Sequence, residues 1–166
     1  MNEELFNKVK ERIIAKFPDA IEVAEITLDF PAFTIKKESI HNVLAFLKND
    51  EDLNFHFLTD LTGFQTEDEK YLGVIYHLHN MPKNHRVRIK TYFDINKPEI
   101  PTATDIWPGA NWMERETFDF YGVKFKGHPK LKRILNVDEM DIFPMRKEYP
   151  LEDQARDDKD DKMFGR

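Results

Sequence analysis

Three runs of sequence, LNFHFLTDLTGFQ (53–65), KYLGVIYHLHN (70–80) and RVRIKTYFD (86–94), follow one another with only TEDE and MPKNH between them. Each is rich in β-branched and aromatic residues, and each junction is short and polar, the pattern of strands joined directly to their neighbours. This feature constrains the fold most, because strands so connected share one sheet, and that sheet needs cover. The cover is written upstream. Leu5, Val9, Ile13 and Phe17 recur every four residues with Lys and Glu between them, which predicts an amphipathic helix over 3–17 stopped by Pro18. IEVAEITLD then alternates Ile21 and Val23 with Glu22, and AFTIK continues after Pro31, predicting two strands turned at Asp29 to Pro31. Ser39 stands as the expected N-cap of IHNVLAFLKND, where Ile40, Val43, Leu44 and Leu47 share one helical face. The order α-β-β-α-β-β-β predicts an α+β fold of two layers, helices packed on one mixed β-sheet.

Past Phe93 the texture changes. Pro98, Pro101 and Pro108 interrupt the pattern before a helical NWMERETFDFY that Gly122 should end in the left-handed conformation. No amphipathic period follows Gly127, and residues 136–166 are rich in Asp, Lys and Pro, closing on RDDKDDKMFGR. The chain is therefore read as a domain over 1–135 followed by an extended arm and acidic tail over 136–166. Pro144 and Pro150 hold that arm extended, while Ile142, Phe143, Met145, Tyr149 and Leu151 offer anchors spaced too irregularly for a helix. Such an arm is expected to be ordered mainly by a partner, with Arg146 and Lys147 meeting acidic groups there.

Composition removes several functions. The chain has no cysteine, which excludes disulfides, thiolate nucleophiles and thiolate ligation of zinc or an iron–sulfur cluster. A net charge of -6 with scattered cations argues against nucleic acid as the main partner. No stretch approaches the ~18 apolar residues of a membrane-spanning helix, and MNEELFNKVKERI lacks a signal core. The expectation is a cytoplasmic bacterial protein.

Two patterns are candidates for chemistry. His77 and His79 alternate on a strand and so share a face, where His56 or His85 could complete a metal site; the competing reading is a half-buried polar row. Ser39, the one serine, is assigned to a cap, leaving no serine nucleophile. The second pattern is NWMERETFDFYG, with four charged side chains among four aromatic ones. At ~100° per residue, Met113, Thr117, Phe120 and Tyr121 fall on one arc, and Trp112, Arg115, Glu116 and Asp119 on the opposite one. Glu114 lies near Phe118 on a third. Arg115 and Asp119, four apart, can pair, which weakens the case for either as a free acid or base. An acid/base hydrolase using Glu114 and Glu116 would need partners from elsewhere in the fold. The more economical reading buries the Met113 and Phe120 side in the domain and presents Trp112 with its ring of charge to a second protein.

The 22 residues ERETFDFYGVKFKGHPKLKRIL, with Glu114, Arg115, Glu116, Asp119, Phe120, Tyr121, His128, Lys132, Ile134 and Leu135, resemble the signature of the 30-kDa subunit of respiratory complex I, the proton-pumping NADH:quinone oxidoreductase. The flanking PGANWM and FPMRKEYPLE are also similar to that family. The resemblance implies a peripheral-arm protein on the cytoplasmic side, non-catalytic by itself, docked against the neighbouring complex I subunits D and B. It implies that FMN, iron–sulfur clusters and quinone are held by other subunits, and that this chain holds no cofactor or metal. It makes Glu114, Arg115, Glu116, Asp119 and His128 structural and interface residues, and Arg146, Lys147 and Tyr149 docking contacts. Related proteins also serve membrane-bound hydrogenases and ferredoxin-linked oxidoreductases, which stand as the alternative assemblies.

Overall fold

The computed structural model describes residues 2–28 and 30–149. Helix α1 (Asn2–Lys16) leads into the hairpin β1 (Ile21–Thr27) and β2 (Phe30–Ile35), then α2 (Ile40–Asn49) and three long strands, β3 (Phe57–Gln65), β4 (Tyr71–Asn80) and β5 (His85–Asp94). A second, smaller unit follows: β6 (Glu99–Pro101), α3 (Ala110–Tyr121) and β7 (Lys124–Lys126). The main sheet runs β1-β2-β5-β4-β3, antiparallel throughout except where β2 meets β5. That one parallel pair has a simple cause. From β2 the chain crosses the sheet through α2, lays β3 at the far edge and returns by hairpins, so β5 arrives beside β2 pointing the same way. The α+β two-layer arrangement and mixed sheet are those the sequence predicts.

All three helices lie on one face. Val9 and Ile13 of α1 and Ile40, Val43, Leu44 and Leu47 of α2 are fully buried against Phe33, Ile35, Tyr76, Leu78, Val87 and Ile89 of the sheet. Several local expectations shift. The run from Leu53 becomes a strand only at Phe57, because Asn54 takes a left-handed φ of 41° and Asp50 Oδ1 accepts the amides of Asp52 and Leu53. Leu53 and Phe55 are buried as loop residues instead. Ser39 precedes α2 but its hydroxyl makes no capping bond; a turn closed by the Ser39 amide on the Lys36 carbonyl sets the start. In β1 a register shift between Ile21 and Val23 breaks the alternation, leaving Val23 and Ile26 49% and 42% exposed. The following turn begins at Leu28, Asp29 lies outside the described residues, and Pro31 already pairs within β2.

β6 and β7 pair in parallel and bracket α3, which lies on the inner face over β3. Gly63 permits that approach: a Cβ there would stand 2.8 Å from Thr117 Cγ2 and from the Tyr121 ring. Gly122 ends the helix at φ 75°, as expected. Among the described residues no helix is long and apolar enough to cross a membrane.

Residues 127–149, after β7, have no regular structure, yet they pack back along α3. Met145 donates its amide to the Phe120 carbonyl, Lys147 donates to Gln65 Oε1, and Phe143 meets Phe118 edge-on at 6.2 Å. The division drawn at 135 therefore falls inside one packed unit. Prolines and irregular apolar spacing exclude a helix there, but a loop whose backbone groups find partners packs as well. The tail from Asp157, with Pro150 and Leu151, lies outside the described residues.

Candidate functional site

The site is built on α3, whose burial pattern differs from the wheel. The helix turns Ala110, Glu114 and Thr117 into the domain and buries Asp119 beneath the segment that follows β7. Met113, Phe120 and Tyr121 are half-buried, so the polar Glu114, not the Met113 and Phe120 side, is the deepest contact with the body. Periodicity fails because it assumes that buried means apolar, and two carboxylates are buried here.

Glu114 is closed to solvent. Its Oε2 accepts the Thr102 hydroxyl and its Oε1 the Ala103 amide, both at 2.6 Å, and Thr102 in turn bonds Thr104 at 2.9 Å. Burial raises the carboxyl, the two hydrogen bonds pull it back only in part, and it ends at about 7. The Tyr76 hydroxyl, buried with no partner among the described residues, is held high by its own burial and then by Glu114.

Asp119 lies at the other extreme. Burial would raise it, but the amides of Ile134, Leu135 and Asn136 and the Arg133 guanidinium all donate to its carboxylate and hold it well below the usual range. Arg133 does not stop there. One nitrogen serves the Asp119 carbonyl and carboxylate at 2.7 and 2.8 Å, and the other serves the carbonyls of Met140 and Ile142 at 2.6 and 2.9 Å. The pair is therefore a knot that fastens residues 133–142 to the helix. Arg115 and Asp119, which could pair by spacing, do not; Arg115 donates to the carbonyls of Lys132 and Arg133 and stacks on Trp112 at 5.2 Å.

Other candidates separate into anchors and exposed groups. His128 accepts the Lys130 amide on Nδ1, which leaves Nε2 to donate to the Asn111 carbonyl at 3.1 Å. Arg146 donates to the Tyr121 carbonyl at 2.8 Å and stacks on Phe143, so its guanidinium is engaged within its own chain; Tyr149 is half-buried beside it. Lys147 and Glu116 are exposed. Trp112 is 62% exposed, and in the segment after β7 Leu135, Val137, Ile142 and Met145 are exposed as well. Sequence reasoning missed Arg133 and Thr102, the partners of the two buried acids. No local signal marks either, since the bonds span 14 and 12 residues.

The arrangement offers no acid/base pair: Glu114 is enclosed, Asp119 is bonded on both oxygens, and Glu116 stands apart. His77 and His79 share the opposite face of the sheet, where burial and then Arg88 hold the His77 imidazole below its ordinary value. Among the described residues no three His, Asp or Glu groups gather as a metal site.

Residues 33–155 match the family described as respiratory-chain NADH dehydrogenase, 30 Kd subunit. The corresponding C-subunit of the NADH-quinone oxidoreductase of Roseiflexus sp. (strain RS-1) is 41% identical over 150 residues, covering 86% of this chain and 83% of that one. Its counterpart from Moorella thermoacetica is 40% identical over 139 residues, covering 84% and 91%. Among solved structures, the trypsin-resistant fragment (1-134) of Nqo5 superimposes with a TM-score of 0.64 at 27% identity, covering 76% of this chain and 99% of that chain. A chain of the membrane-bound sulfane sulfur reductase, an archaeal respiratory membrane complex, gives 0.73 at 26% identity over 87% of this chain and 85% of that one.

Proposed function

This chain belongs to the 30 Kd subunit family of respiratory-chain NADH dehydrogenase, and we propose from that premise that it scaffolds the quinone module of a proton-translocating NADH:quinone oxidoreductase. As a member of that assembly it serves the complex's electron transfer while carrying none of the reacting groups itself. FMN, iron–sulfur clusters and quinone reside in other subunits, of which subunits D and B are its neighbours, on the cytoplasmic face of the membrane. One observation carries the reading: both buried carboxylates of the signature helix are bonded within the chain, while Trp112 on the same helix is left exposed. Internal acids fix the shape, and the exposed aromatic supplies the contact. A free-standing hydrolase built on Glu114 and Glu116 lacks a matching geometry.

The test is affinity purification of the tagged chain from detergent-solubilised membranes. Subunits D and B are expected to accompany it, and the chain stripped of them is expected to be colourless and without NADH oxidation. Recovery alone, or stoichiometric flavin or iron in the stripped chain, defeats the reading. The likeness to the archaeal sulfane sulfur reductase chain keeps a second reading, the same scaffold in a hydrogenase or ferredoxin-linked complex. NADH- and flavin-binding subunits among the recovered proteins would decide against it.

A further inference from the structure

Among the described residues, no helix covers the second face of the sheet. On it, registered across the strands, stand Glu25, Ala32, Arg88, His77 and Asp60 in one row, Lys90 with Ile75 in the next, and Arg86 with His79 on the other side. Lys90 is engaged by Glu25 at 3.2 Å. Arg86 and Arg88 are not: among the described residues neither has a carboxylate within 4.0 Å. Arg88 Nε and His79 Nε2 are moreover enclosed, with no hydrogen-bond partner among the described residues. Beside them lies an open hollow of about 300 Å³ lined by Phe30, Thr59, Asp60, His77, Arg86 and Arg88. A chain of net charge -6 thus gathers on this face two arginines that no described carboxylate pairs.

We propose that this face docks an acidic segment of a neighbouring polypeptide, whose carboxylates pair with Arg86 and Arg88. A carboxylate matches a guanidinium fork with two parallel bonds, and Arg86 and Arg88 line the open hollow that would admit one. The apolar surroundings fit a polypeptide rather than a free anion. Phe57 and Val23 are 45% and 49% exposed, and Phe64 and Tyr92 meet edge-on at 5.3 Å over Gly73, so side chains flanking the carboxylates have surface to bury. With Glu25 and Asp60 interspersed, three cations are too few for nucleic acid. The inference rests on the assembly reading and adds a second neighbour, on the opposite side from α3.

The experiment uses the assembled complex carrying Arg88→Lys, which keeps the charge and places a primary amine on the face. A zero-length carbodiimide is expected to join position 88 to an Asp or Glu of another subunit, identified by mass spectrometry of the cross-linked peptides. In the wild-type complex, hydroxyl-radical oxidation of Phe57 and Tyr92 is expected to fall at least fivefold relative to the isolated chain. Coupling of position 88 only to carboxylates of its own chain, or oxidation of these aromatics at the same rate in both states, overturns the proposal. So does acetylation of position 88 as fast in the complex as in the isolated chain. If the chain does not enter the complex at all, the assembly reading fails first and this one with it; if it enters and the face stays open, only this one fails.

Discussion

Glu114 and Asp119 stand five residues apart on one helix and occupy opposite ends of the carboxylate range. Both are fully buried; the number and charge of their donors make the difference. For Glu114 the folded value of about 7 lies above the unfolded 4.5, so its favourable contribution is complete below pH 4.5 and is lost as pH rises through 7. The loss is on the order of 3 kcal/mol at 1.36 kcal/mol per unit. Glu114→Gln can keep the Ala103 bond and donate to Thr102, so urea melts should show it more stable than wild type at pH 8.5 and little different at pH 5. Equal pH slopes for the two proteins would exclude the buried acid as the cause. For Asp119 the sign is reversed: its folded value is depressed, so its contribution is full above the unfolded 3.8 and is lost as pH falls below that value. Asp119→Asn leaves Arg133 charged and buried without its counter-ion, a change worth about 3–5 kcal/mol of stability. Thermal and urea melts at pH 7 measure it directly; a loss below 1 kcal/mol would mean that the knot is slack.

At the scale of elements, α3 is fixed from three sides, and each side depends on a specific small or buried residue. Gly63 lets the helix reach β3, and Gly63→Ala should destabilise by about 1–3 kcal/mol because backbone or helix must move to admit the methyl group. Arg115 holds the carbonyls of Lys132 and Arg133, so Arg115→Met weakens the fold as well as any interface, whereas Glu116→Gln, fully at the surface, should change stability by less than about 0.5 kcal/mol. The trailing segment behaves as part of this element. Phe143 packs on Phe118 and Arg146 bonds the Tyr121 carbonyl, so trypsin should cut near Arg146 slowly even in the isolated chain. Releasing the knot by Asp119→Asn should accelerate that cleavage tenfold or more. Rapid cleavage of the isolated wild-type chain would restore the picture of an arm that only a partner orders.

At the scale of the whole molecule, the two faces of the sheet divide the labour. One face holds all three helices and the core; the exposed Trp112 sits at its margin, and the bare face carries the arginines. Trp112→Ala should leave the melting temperature nearly unchanged and reduce recovery of the chain in the complex severalfold, since a buried interfacial tryptophan commonly contributes about 2 kcal/mol or more. A quantitative pull-down of wild type and variant from matched membranes reads this. Undiminished recovery would move the contact away from α3.

What the sequence determined by itself was everything that periodicity encodes. Four-residue spacing from Leu5 to Phe17, the shared face of Ile40 to Leu47 and the stop at Gly122 are local, because a helix repeats every 3.6 residues and its inward face must be apolar somewhere. The three joined strands and the unbroken signature from Glu114 to Leu135 were legible for the same reason, as contiguous patterns. The tertiary structure alone decided which acids go inside. Asp119 read as part of the outward charged arc and Glu114 as on neither arc, because a carboxylate is buried only when specific donors wait for it, and those donors are Thr102, Ala103, Arg133 and the amides of Ile134 to Asn136. It also decided that residues 136–149 belong to the domain, because that placement depends on one guanidinium reaching the carbonyls of Met140 and Ile142, a contact that no spacing along the chain announces.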